Sequence, residues 1–277
     1  IQIDNFELCL AFKAVLKNSP TIQKLSDLHS DFSKLVFTNS SCKKLKNQDL
    51  TILHLLCKTH NLSLFEELFS GNPELFEDLI NRPNLIGWTP IYFAIKHNDL
   101  PFVQSLLSHK ASLKPAKFAS PLILACQKAS PILFDLILSK TDSETLHYQD
   151  TDGITALFMS IYTQNLDNLQ LLFEKHHMNP RIFDKSGASV LHWAANDGNM
   201  KILNYVLETM GLKDLINHQD QEGNAPLHYA ARYCGESEFF EALVAAGADL
   251  KLVNKAGETA EVVAFEEENV FGSEILN

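Results

Sequence analysis

One short frame returns along this chain at a nearly constant interval. The segments Asp184-Lys-Ser-Gly-Ala-Ser-Val-Leu-His-Trp-Ala-Ala195 and Asp220-Gln-Glu-Gly-Asn-Ala-Pro-Leu-His-Tyr-Ala-Ala231 agree at Asp, Gly, Leu, His, Ala and Ala, 36 residues apart. The frame recurs at Gly87-Trp-Thr-Pro-Ile-Tyr-Phe-Ala94 and Gly153-Ile-Thr-Ala-Leu-Phe158. Weaker copies stand at Thr51-Ile-Leu-His54, Ser120-Pro-Leu-Ile123 and Gly257-Glu-Thr-Ala260. The threonine-equivalent positions are 51, 89, 120, 155, 189, 225 and 259, with spacings of 38, 31, 35, 34, 36 and 34. A period of this size means repeated supersecondary units, none of which buries its apolar face alone.

Each unit has two helical halves. Thr89-Pro90 suits a helix start: a hydroxyl can cap, and proline is tolerated where no backbone donor is needed. Small residues such as Ala194, Ala195, Ala230 and Ala231 let neighbouring helices approach. A second amphipathic stretch follows, as in Leu100–Leu107, Leu166–Phe173, Ile202–Leu207 and Phe239–Val244. Gly247 then reads as a left-handed helix end.

The pattern resembles the ankyrin repeat, with its Thr-Pro-Leu-His-x-Ala-Ala hallmark in a period of about 33 residues. The resemblance covers residues 46–277 and implies an all-α ankyrin-repeat solenoid of about six to seven helix-turn-helix repeats with a helical N-terminal cap. Repeats are expected near 46–83, 84–114, 115–149, 150–183, 184–219, 220–253 and 254–277, the last one capping. Residues 1–45 read as a helical cap or a degenerate repeat, with Phe6–Lys17 and Thr21–Phe37 helical and Cys42–Lys46 a basic loop. Asp49 and Phe118 stand where the motif places glycine. The 38-residue spacing predicts an extended loop around Ser70–Pro83, and Glu261–Asn277 a capping helix.

Composition limits the function. The 277 residues are 45% hydrophobic and 21% charged, ordinary for a folded chain, with no apolar run long enough to span a bilayer. The formal charge of −11 argues against a general nucleic-acid binder. The charge is uneven: 13 Lys/Arg and 11 Asp/Glu through residue 120, then 10 and 23. Much of the later acidity falls at Asp150, Asp152, Asp184, Asp220 and Glu222, expected to recur along one edge. The five cysteines are odd in number and widely spaced, which suggests reduced thiols and a cytoplasmic or other reducing compartment. The chain starts at Ile1 without a signal sequence and reads as an excised piece, so a companion domain is an open expectation.

Catalytic and metal chemistry is sparse. No phosphate loop, dinucleotide fingerprint, nucleophile elbow or His-Glu-x-x-His occurs. His176-His177 lacks two further zinc ligands in suitable spacing. No metal, cofactor or catalytic residue is expected. The resemblance assigns His54, His192 and His228 to hydrogen bonds between neighbouring turns. It also brings asparagine hydroxylation to mind at Asn217 and Asn254, which read more simply as turn residues.

The resemblance places partner binding on a concave face, built from turn tips and exposed first-helix positions. The residues expected there are Trp88, Lys96, His97, Asp152, Tyr162, Asn196, Asp197, Glu222, Arg232 and Tyr233. Trp88, Tyr162 and Tyr233 are the expected anchors. Trp193 and Tyr229, between the motif His and Ala, are expected to be packed. The reading is a monomeric, non-catalytic protein-interaction scaffold. A basic partner segment would meet the acidic later repeats, and an acidic or apolar element the first three. The alternative is the recognition arm of a larger protein, such as an enzyme or a secreted bacterial effector acting in host cytoplasm.

Overall fold

The computed structural model describes residues 50–71, 73–115, 120–196, 198–234 and 237–267. The expectations for residues 1–45, Asp49, Phe118 and the tail beyond Glu267 lie outside them. The chain divides at Thr145 and Leu146 into two compact units.

The first unit begins with α1 (Ile52–Lys58), α2 (Leu62–Gly71) and α3 (Pro73–Ile80). Then come α4 (Pro90–Lys96), α5 (Leu100–Ser108), α6 (Pro121–Lys128) and α7 (Pro131–Lys140). A short α8 (Ser143–Leu146) runs across the division in the chain. Among the described residues there is no strand, only two isolated antiparallel bridges. The first helices α1, α4 and α6 stack in sequence order, and each packs on its own second helix.

The expected loop around Ser70–Pro83 is instead the helix α3. Pro73 occupies its first turn, where a missing N–H costs nothing. Phe76, Leu79 and Ile80, three and four apart, are buried. Phe76 meets Phe65 edge-on at 6.5 Å and Phe69 at 5.8 Å. The extra residues of the first repeat are therefore an added apolar helix.

In the second unit α9 (Ala156–Tyr162) pairs with α10 (Leu166–Gln170), which widens into a π-helical turn at Leu171–Lys175. The next pair is α11 (Val190–Asn196) and α12 (Met200–Asn204), again widening over Tyr205–Thr209. Then come α13 (Pro226–Tyr233), α14 (Ser237–Ala245) and α15 (Ala260–Glu266). Ala194, Ala195, Ala230 and Ala231 are buried where α11 and α13 meet, as their size predicts. Cys57, Cys126 and Cys234 are buried thiols, and burial pushes the Cys57 thiol well above its usual range.

Candidate partner-binding face

The turns before α4, α9, α11, α13 and α15 are each built by one Asx side chain. Oδ1 of Asp184 accepts from the backbone N–H groups of Ser186 (2.8 Å) and Ala188 (3.0 Å). Asp220 does the same for Glu222 and Asn224, and Asp150 for Asp152 and Ile154. Asn84 and Asn254 repeat the device at Ile86/Trp88 and Ala256/Glu258. The carboxylates expected to form an acidic edge thus include three whose Oδ1 holds its own turn. Among the five acids named for that edge, only Asp152 and Glu222 are exposed.

Successive turns are joined through backbone. Lys185 N–H donates to Asp152 C=O (2.9 Å), Gln221 to Ser186 (2.7 Å) and Lys255 to Glu222 (2.9 Å). This closeness explains the motif glycine. At Gly153, φ is +78°, and a Cβ there would lie 2.8 Å from Lys185 N and 2.9 Å from Asp184 Cα.

The motif histidines lock each turn to its helix and to the next turn. His54 Nδ1 accepts from the Thr51 backbone N–H at 3.0 Å and lies 2.8 Å from its hydroxyl. Because a backbone N–H can only donate, that Nδ1 carries no proton, and Nε2–H donates to Trp88 C=O at 2.9 Å. His192 bonds Ser189 and Asn224 C=O in the same way, and His228 bonds Ala225 N–H and Glu258 C=O. Burial holds both His54 and His192 neutral, down to a pKa of about 4. Tyr92 and Phe158 replace the histidine in two repeats, and the buried hydroxyls of Thr89 and Thr155 there have no hydrogen-bond partner.

This scaffold displays two kinds of surface. In the second unit Tyr162 and Tyr233, at the ends of α9 and α13, are 57% and 59% exposed. The Tyr162 ring meets Trp193 edge-on at 6.3 Å, and Trp193 in turn meets Phe158 at 5.3 Å. Arg232 reaches Glu267 at 3.3 Å, Asn196 is half-buried, and Asp197 lies outside the described residues. The expectation that Trp193 and Tyr229 are simply packed needs correction: both are half-buried and reach back to the turns. Trp193 Nε1–H donates to Asp184 Oδ2 at 2.9 Å, and the Tyr229 hydroxyl to Asp220 Oδ2 at 2.9 Å. The pattern Asp, then an indole or phenol nine residues later, was available in the sequence. It could be interpreted only once the turn folded back on the helix.

In the first unit Trp88 is half-buried, stacked on Tyr92 at 5.8 Å and edge-on to Phe93 at 5.6 Å. Lys96 Nζ sits 5.2 Å above its ring, and exposed His97 meets His60 at 5.0 Å. Asn217 and Asn254 are turn residues with engaged amides: Asn217 bridges Gly247 and Asp249, and Asn254 donates to Asn224 and Glu258. No helix of the described residues is long and apolar enough to cross a membrane.

Comparison with known proteins agrees with this architecture. A family model described as "Ankyrin repeats (3 copies)" matches residues 122–214 and 179–254. Inversin of Canis lupus familiaris is 32% identical over 203 residues, 71% of this chain and 18% of that protein. This chain therefore spans less than a fifth of that relative's length. The probable 26S proteasome regulatory subunit p28 of Saccharomyces cerevisiae is 25% identical over 222 residues, 78% of this chain and 94% of that protein. A solved chain from a complex of a Bdellovibrio bacteriovorus predatory endopeptidase with its immunity protein superposes with a TM-score of 0.58 at 28% identity. It covers 67% of this chain and 95% of that one. The motif, the turn-to-turn hydrogen bonds and the family match lead to one conclusion: the chain belongs to the ankyrin-repeat family.

Proposed function

We propose that the chain is a non-catalytic recognition scaffold that binds a partner protein through its turn tips and first-helix ends. Support comes chiefly from Tyr162, whose ring is 57% exposed yet braced against Trp193. A large, amphipathic side chain held at low entropy suits an interface anchor. Tyr233, Trp88, Lys96, His97, Asn196, Asp197 and Arg232 are proposed as further contacts. Asp152 and Glu222, exposed on the turns either side of the Asp184 turn, are proposed to meet a basic segment, in keeping with 23 Asp/Glu against 10 Lys/Arg after residue 120. Such charges act mainly on the rate of encounter. The scaffold is proposed to work as a monomer in a reducing, cytoplasmic setting, without cofactor or metal.

Affinity capture from lysate tests this reading, with wild type against a Trp88→Ala/Tyr162→Ala/Tyr233→Ala variant of unchanged far-ultraviolet spectrum. The variant should lose the partner. Equal recovery by both would remove the proposed face. Raised salt should also slow association of the captured partner. A second reading rests on inversin, where the matching segment is 18% of a longer protein. There the repeats of this chain would be the recognition arm of a larger polypeptide, and the length of the native product decides it.

A further inference from the structure

The first unit presents a surface unlike that of the second. Lys58 and Lys96 end α1 and α4, and both are exposed. His60 and His97 stand beside them with rings 5.0 Å apart. Both lysines and His60 act electrostatically on His97, whose pKa is lowered first by burial and then by these neighbours. The carboxylate at this spot, Asp99, is already engaged: Oδ2 lies 2.7 Å from His60 Nδ1, and Oδ1 caps the Phe102 N–H at 3.1 Å.

An apolar element adjoins this basic cluster. Lys96 Nζ lies 5.2 Å over the Trp88 ring. The turn leading into Trp88 exposes Leu85 (63%) and Ile86 (46%). Lysines in a last helical turn complement the helix dipole without any partner. That reading accounts for Lys58 and Lys96 singly. It does not account for two imidazoles beside them or for two aliphatic side chains turned to water on the adjacent turn.

We infer that this face takes an acidic peptide segment of a partner protein, with carboxylates against Lys58 and Lys96 and an apolar side chain against Leu85, Ile86 and Trp88. The inference rests on the recognition role above and assigns a chemistry to one part of it. Charge complementarity selects the occupant, since the carboxylate at the cluster is bonded within the fold. Nucleic acid fits less well, because the whole chain carries −11 and the adjoining turn is aliphatic.

Fluorescence anisotropy with labelled 12-residue peptides provides the test. One probe is Glu-rich with two leucines, one Glu-rich with serines in their place, one Lys-rich with two leucines. A single-stranded DNA oligonucleotide is the fourth. The Glu/Leu peptide should bind tightest and weaken with salt. The Lys58→Glu/Lys96→Glu variant, which leaves the core intact, should weaken it about tenfold or more. Asn204→Ala, exposed on α12 and outside every proposed contact, should leave it unchanged. Absent binding at millimolar peptide, equal binding of the Lys/Leu peptide, preference for DNA, or indifference to the charge reversal would each overturn the inference. Partner capture that fails with Tyr162→Ala but survives the charge reversal would keep protein recognition while discarding this acidic occupant.

Discussion

The motif glycines offer a comparison within one molecule. Gly223 and Gly257 have nearly the same backbone, at φ +78° and +82°. Placing an L residue in that left-handed region costs about 1–2 kcal/mol. Removing glycine's freedom from the unfolded chain returns about 0.4–1 kcal/mol. Gly257→Ala has no atom within 4 Å of the new Cβ, so only the difference of these two effects, about 0–1.6 kcal/mol, is lost. At Gly223 the new Cβ would meet Lys255 N at 2.9 Å and Asn254 Cα at 3.1 Å. Both are backbone, so the next turn must retreat and stretch the Lys255-to-Glu222 hydrogen bond of 2.9 Å. That bond contributes about 1 kcal/mol and the lost close packing a similar amount, so Gly223→Ala should lose about 2–4 kcal/mol. Urea unfolding of both variants measures the difference. Hydrogen exchange at the Lys255 amide locates it, since repeat chains need not unfold in one step. Equal losses in the two variants, with Lys255 still protected in Gly223→Ala, would refute turn-to-turn contact as the reason for this glycine.

Three further outcomes are expected. Thr155→Val removes a buried hydroxyl without a partner and should be neutral or stabilising by up to about 1 kcal/mol, whereas Thr51→Val, opposite His54, should lose about 1–2 kcal/mol in the same urea assay. His54 and His192 have folded pKa values near 4 against an ordinary 6.5, so the unfolded chain binds protons first as pH falls. Stability is then full above about pH 6.5 and declines toward pH 4, by about 2 kcal/mol per histidine at pH 5. His192→Gln should shrink the difference between pH 7 and pH 5 urea midpoints measurably; an unchanged difference would show that this histidine is not held neutral. Trp193→Phe deletes the indole N–H that Asp184 Oδ2 accepts, and should lower stability by about 1 kcal/mol while leaving the Tyr162 contact ring in place.

Local repetition made much of the architecture legible in sequence. Seven copies of one frame located the first helices from Thr51 to Thr259, because cap, proline and apolar spacing are encoded within a few residues. The family resemblance assigned His54, His192 and His228 to bonds between neighbouring turns, and the structure shows those bonds. The added helix Pro73–Ile80 was also written locally, in a proline followed by Phe76, Leu79 and Ile80. Counting the interval between motifs hid it, because a long spacing says nothing about what fills it.

The surface was a different matter. Asp150, Asp184 and Asp220 were expected to line one acidic edge, and the folded turns close around their carboxylates instead. Trp193 and Tyr229 looked packed until the folded turn offered each a carboxylate oxygen nine residues away in sequence. The amino-acid sequence by itself determined a two-helix repeat, its caps and its glycine-bearing turns, since these depend on backbone preferences and short-range periodicity. Only the tertiary structure decided which polar and aromatic side chains remain available to a partner. Their bonding depends on how each turn packs on its own helix and on the next turn some 30 residues along, where local pattern no longer specifies direction.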